Sequence, residues 1–388
     1  MREQSDAAID AVHRREAILV AFAGSIALAA ALGIGRFVYT PILPPMVAAL
    51  GFTKSTAGAI ASANFLGYLI GALLVASPIL RGSRRAWLLG ALVMSAMTTG
   101  AMGLTNSLKL FVLLRFVGGA ASAFVLVLAS ALVLERLAEA GRAGLSALCF
   151  AGVGIGIAVS AMLVAAMLRA GHDWQSLWLA SGALSLAAAI AVGLLLRPHS
   201  APARRDQQKK RSAGRNLIRL IAAYGLFGFG YVITATFLVA IVRATPAIRS
   251  LEPTIWFVFG LAAAPSVALW TRIATGLGAS RAFALACLVE AIGVAASVAW
   301  QTKPGIFLSA VLVGGTFMGL TALGLMHART LAAGDPRRVF AWMTGAFGAG
   351  QIIGPAFAGV LSDRLGSFTV PSTAAVIALI GAALLARR

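Results

Sequence analysis

Apolar runs of membrane-crossing length recur along this chain, separated by short polar breaks. A bilayer core about 30 Å thick takes about 20 residues of helix. Spans of that length are expected near residues 18–47, 56–80, 86–104, 109–134, 143–168, 175–196, 218–242, 253–270, 282–300, 305–327, 339–360 and 369–386. Of the 388 residues 60% are hydrophobic and only 11% charged, and the mean hydropathy is +0.91. That is too little polar surface for water-facing globular domains, so the class is an all-α, polytopic membrane protein. The net charge of +20 suits nucleic acid only as a basic stripe on a soluble fold. Here the charges fall in the breaks, so no nucleic-acid partner is expected.

Basic residues mark the cytoplasmic loops of membrane proteins. With the N-terminus inside, the cytoplasmic segments hold 23 of the 32 Lys and Arg residues, the outer segments hold 7, and only Arg36 and Arg115 lie within spans. Both termini are therefore expected in the cytoplasm. The first 17 residues read as a polar tail. The run after them exceeds a signal-peptide core and lacks a cleavage site, so it reads as a retained helix.

The halves repeat. Gly33-Ile-Gly35-Arg36 corresponds to Gly228-Phe-Gly230-Tyr231 at an offset of 195, Arg85-Ala86 to Arg281-Ala282 and Val117-Gly118-Gly119 to Val313-Gly314-Gly315 at 196, and Gly152 through Gly156 to Gly350 through Gly354 at 198. Ordered matches at half the chain length indicate duplicated six-helix bundles. The expected division is a tail over 1–17, bundles over 18–196 and 218–386, and a basic cytoplasmic linker over 197–217, whose charge reads first as a topology determinant and second as a contact for anionic lipid.

This layout resembles the major facilitator superfamily. GIGRFVYTPILPPM (33–46), NFLGYLIGALL (64–74), YGLFGFGYVITATFL (224–238) and GAFGAGQIIGP (345–355) look like its YbfB/YjiJ-type branch. The resemblance covers nearly the whole chain and implies two pseudo-symmetric bundles that alternate access to a central solute. It implies proton coupling through Arg115, which leads a run of small residues in helix four, and an interface between halves at Gly152, Gly154, Gly156, Gly350, Gly354 and Pro355. The usual acidic loop signature after helix two is degenerate, Arg81-Gly-Ser-Arg84-Arg85, whereas Asp363 and Arg364 carry its form after helix eleven. That departure points to a latch at the outer end.

A charge in mid-bilayer costs roughly 2.5 to 3.5 kcal/mol and normally faces a cavity or a partner. Arg36 is followed by Pro41, Pro44 and Pro45, a pattern that suits a helix unwinding beside a cavity. We read Arg36 as an anion anchor, with Tyr39 and Thr40 as neighbours one turn on. Asn64, Tyr68, Tyr224, Tyr231 and Gln351 complete the candidate substrate-binding set, Gln351 reading equally as an amide bonding across helices. Glu290 reads first as a structural hydrogen bond and second as a proton carrier alongside Arg115. His327, near the inner end of helix ten, reads as an interface histidine. Cys149 and Cys287 lie in apolar runs and read as small buried hydrophobes. No cofactor or metal site is indicated. The chain has no phosphate-binding Gly-Lys-Ser/Thr loop and no nucleophile cluster, so neither an enzyme nor an ATP-driven pump is expected.

The expectation is a secondary active transporter in a bacterial inner membrane, monomeric, moving a small organic anion or zwitterion with protons. The rival classes are a transporter-like receptor, which would carry an appended signalling domain, and a pore or lipid scramblase.

Overall fold

The computed structural model describes residues 16–77, 82–196, 214–331 and 336–387. Most of the polar tail, Arg81 and most of the linker lie outside these residues. The described chain is a succession of apolar helices: α1 (Glu16–Leu50), α2 (Lys54–Ala76), α3 (Arg84–Leu104), α4 (Leu108–Glu139), α5 (Ser146–Arg169), α6 (Trp174–Leu195), α7 (Arg215–Ala244), α8 (Pro246–Ala263 with Ser266–Leu277), α9 (Ala279–Ala299), α10 (Lys303–Leu331), α11 (Pro336–Leu365) and α12 (Thr369–Ala386). Eleven are single spans and α8 is a pair bent by 42°, so the twelve expected spans are present. The bend falls at Pro265, whose missing N–H and bulky ring interrupt the helical ladder.

Polar caps start several spans. The Thr53 hydroxyl accepts from Thr56 N at 3.1 Å before α2, and Asp173 accepts from Ser176 N at 2.9 Å before α6. α1 ends on Gly51 at φ 64°, a left-handed turn that glycine makes without a Cβ clash. Large apolar side chains such as Ile190, Leu194 and Ile377 point outward, 60% or more exposed, as lipid-facing positions require.

The helices form two six-helix bundles that meet along α2–α11, α5–α8 and α1–α7. Within each bundle the same helix pairs recur, α1 on α5 in the first and α7 on α11 in the second. The Thr40 hydroxyl of α1 donates to Ala235 O of α7 at 2.8 Å. These residues are 195 apart, the offset of the sequence repeat, so the pseudo-symmetry axis passes between them.

Candidate substrate site and latch

α1 is not a continuous helix. Residues Ala29–Ile34 wind as a π-helix and 35–38 form a turn before α-helix resumes at Tyr39. In the turn, Thr40 N bonds Phe37 O at 3.2 Å in place of Arg36 O. Arg115 of α4 meets the freed carbonyls, with Nη1 3.0 Å from Gly35 O and Nη2 3.0 Å from Arg36 O. A buried arginine thus replaces backbone donors missing from the break. Asn64 of α2 holds the same junction, donating to Arg115 O at 2.8 Å.

Arg36 projects from this break and is 5% exposed. Its guanidinium lies 4.3 Å from the ring centre of Tyr68, 4.5 Å from that of Phe65 and 5.6 Å from that of Phe37. Phe37 reaches the second bundle, 5.7 Å from Phe317 edge-on. On that side Tyr231 lies parallel to Phe317 and Phe347, at interplanar angles of 13° and 4°, and Phe347 stacks on Tyr224 at 4.9 Å. Gln351 Nε2 donates to the Tyr231 hydroxyl, while the Tyr224 hydroxyl donates to Thr321 O at 3.1 Å. Nε and Nη2 of Arg36 and Oε1 of Gln351 are buried without a hydrogen-bond partner among the described residues.

The structure thus brings Arg36, Tyr68, Tyr224, Tyr231 and Gln351 into one layer between the bundles. Tyr39 and Thr40 point elsewhere. The Tyr39 hydroxyl donates to Ala57 O at 2.8 Å and its ring packs on Trp178, because the turn over 35–38, where Thr40 N bonds Phe37 O, breaks the 3.6-residue register that would set both beside Arg36. Glu290 is fully buried in α9, and neither carboxylate oxygen has a hydrogen-bond partner by geometry among the described residues. The neighbouring Thr316 hydroxyl bonds its own helix at Leu312 O and Val313 O. His327 lines a separate cavity of about 210 Å³ with Asn216 and Ser280, and both cysteines are buried and free.

The interface glycines divide by face. A Cβ on Gly154 would stand 2.2 Å from Ala264 N of α8, across the bundle boundary. Cβ atoms on Gly152 and Gly156 would meet Ser25 O at 2.0 Å and Ala29 O at 2.4 Å, both in α1 of the same bundle. Residues two apart on a helix face nearly opposite ways, so one glycine run serves two neighbours. In α11, Gly350 and Gly354 pack on α7 while Pro355 O meets Gly58 of α2.

At one end α11 is tied to α2. Asp363 accepts from Lys54 N at 3.0 Å and Ser55 N at 2.7 Å, and from the Ser55 hydroxyl. This sets a carboxylate on the positive N-terminus of α2. Lys54 Nζ returns a bond to Ser362 O at 3.2 Å, and Arg364 is exposed beside them. The degenerate loop after α2 bonds within its own bundle, Arg84 to Glu135 at 3.2 Å and Arg85 to Gly193 O at 2.7 Å.

Sequence reasoning missed Phe37, Phe65, Phe317 and Phe347. Phe65 stands three residues before Tyr68 and Phe347 four before Gln351, spacings that place each beside a residue already singled out. It also missed a cavity of about 300 Å³ between the bundles, walled by Pro41, Pro45, Trp256 and the Arg243–Glu252 ion pair.

Two matched six-helix bundles meeting at a buried charged and aromatic layer define a membrane transporter of the major facilitator class. The chain belongs to the family described as uncharacterised MFS-type transporter YbfB, whose model matches residues 28–387. Solved structures of the nucleoside transporter NupG share the fold. A single-substitution mutant aligns with a TM-score of 0.70 and 16% identity over 95% of this chain and 98% of that one. Another NupG structure aligns at 0.68 and 15% over 96% and 97%. No protein in the curated set matches the sequence.

Proposed function

We propose that the chain is a secondary active transporter, acting as a monomer with both termini in the cytoplasm of a bacterial inner membrane. It moves a small organic anion by alternating access coupled to protons. The observation that carries this reading is Arg36, a buried cation at the boundary of two matched bundles with two N–H donors unspent. A fixed charge is costly there and is compensated when an anion meets it.

The bonds at the Asp363 end support an outward-closed state, since opening must separate α2 from α11 and Thr40 from Ala235. Glu290 supports the proton-carrying role. A carboxyl sealed from water exchanges its proton only when a conformational change brings water or a relay to it. The ring stack of Tyr224, Phe347, Tyr231 and Phe317 favours a second reading, a flat neutral solute such as the nucleosides named for NupG.

Purified protein in vesicles under an imposed pH gradient is the test. Saturable uptake is expected, abolished by Arg36→Ala in a folded, inserted protein. Full uptake by that variant, conductance without saturation, or lipid movement would each overturn the reading.

A further inference from the structure

We infer that the solute is an aromatic carboxylate, gripped side-on by the Nε–Nη2 edge of Arg36. This rests on the transporter reading above and adds the chemistry of the cargo. Phe65 and Tyr68 lie 4.5 and 4.3 Å from the guanidinium carbon, at cation–π distance. The two unpartnered donors, Nε and Nη2, share one edge. Their parallel N–H bonds match the two oxygens of a carboxylate. Arg115, equally buried, bonds the α1 backbone through Nη1 and Nη2 and leaves only its Nε without a partner among the described residues, whereas Arg36 has both Nε and Nη2 open.

The surroundings are rings. Phe37 is 5.6 Å from the guanidinium, and Tyr231 lies parallel to Phe317 and Phe347 across the bundle boundary. These rings stack on one another here, and a flat aromatic body is the shape that can take the place of one such contact when the bundles part, with its carboxylate toward α1. Gln351 Oε1, buried and unpartnered next to the Tyr231 hydroxyl, supplies an acceptor for a ring hydroxyl or amino group. A tetrahedral phosphate presents three oxygens and asks for more donors than one edge provides.

The test is ligand titration of purified protein by thermal shift and tryptophan fluorescence, using benzoate, 4-hydroxybenzoate, benzamide and phenyl phosphate. Both carboxylates should bind saturably. Benzamide, of the same shape without the charge, should bind at least about tenfold more weakly. Arg36→Lys and Arg36→Gln, compared at matched apo melting temperature, should weaken benzoate by at least about tenfold, because an ammonium is a point charge rather than a fork. Phe65→Leu should weaken it less.

Equal binding of benzamide and benzoate, unchanged benzoate binding by Arg36→Lys, or no response to either carboxylate overturns the inference. Gradient-driven flux of another solute with silence from the carboxylates would remove this inference alone. Arg36-dependent carboxylate binding without flux in vesicles would support this site and remove the transport reading.

Discussion

α1 and α7 occupy matched places in the two bundles, yet α1 breaks in mid-membrane and α7 runs as helix from Arg215 to Ala244. At the repeat offset Pro41 stands against Thr236, Thr40 against Ala235, and Arg36 against Tyr231. Proline removes an amide donor that threonine keeps. Glycines at 33 and 35 let α1 lie where any Cβ would meet Gly156 or Ser95 at 2.6 Å. The same scaffold thus yields an unwound, charged helix on one side and a wound, aromatic one on the other. Duplication supplies the frame, and a few residues in one copy supply the buried charge on which the proposed site rests.

The largest effect expected from breaking this asymmetry is at Arg115. Charge-assisted bonds are worth roughly 1.5 to 3 kcal/mol each, and Arg115→Ala removes two from the α1 break. A loss of about 3 kcal/mol or more is expected, visible as a lower denaturation midpoint together with lost uptake. Arg115→Lys should recover only part of both, because one ammonium does not reproduce the paired guanidinium geometry. Wild-type stability in Arg115→Ala would show that the break holds itself.

A subtler effect is expected from Glu290→Gln, which keeps the shape in α9 and removes the titrating proton. Accumulation driven by a pH gradient should disappear while solute exchange at equal pH persists, with little change in melting temperature. Retained gradient-driven accumulation would reduce Glu290 to a structural residue.

The smallest is at the latch. Losing a capping carboxylate costs about 1 kcal/mol. Asp363→Ala should therefore speed hydrogen exchange at the amides of Lys54 and Ser55 and shift the population toward the state open at that end. Unchanged exchange at both amides would show that Asp363 does not hold α2 and α11 together.

The spans and the repeat were legible because both are written in residue type: apolar length reports bilayer thickness, and Gly-rich matches recur at fixed offset. Arg36 was legible as a charge where charge is expensive. The roles of its neighbours were less so. Tyr39 and Thr40 are expected beside Arg36 on helical spacing; Gly35 and Pro41 announce a break but not its exact register, and the turn over 35–38 directs them to Ala57 and Ala235. Gly152 and Gly154 read alike as small residues, and only their opposite faces assign one to α1 and the other to α8. The Arg115 clamp was hidden because its partners are backbone carbonyls 79 and 80 residues away.

The central claim is that the solute's anchor belongs to α1 and that its repeat mate in α7 only shapes the site. Uptake kinetics of Arg36→Gln and Tyr231→Phe, measured side by side in vesicles at equal protein density, test it most directly. Arg36→Gln should abolish saturable uptake, and Tyr231→Phe should keep it with a raised KM. Saturable uptake by Arg36→Gln alongside an inactive, folded Tyr231→Phe would contradict the account.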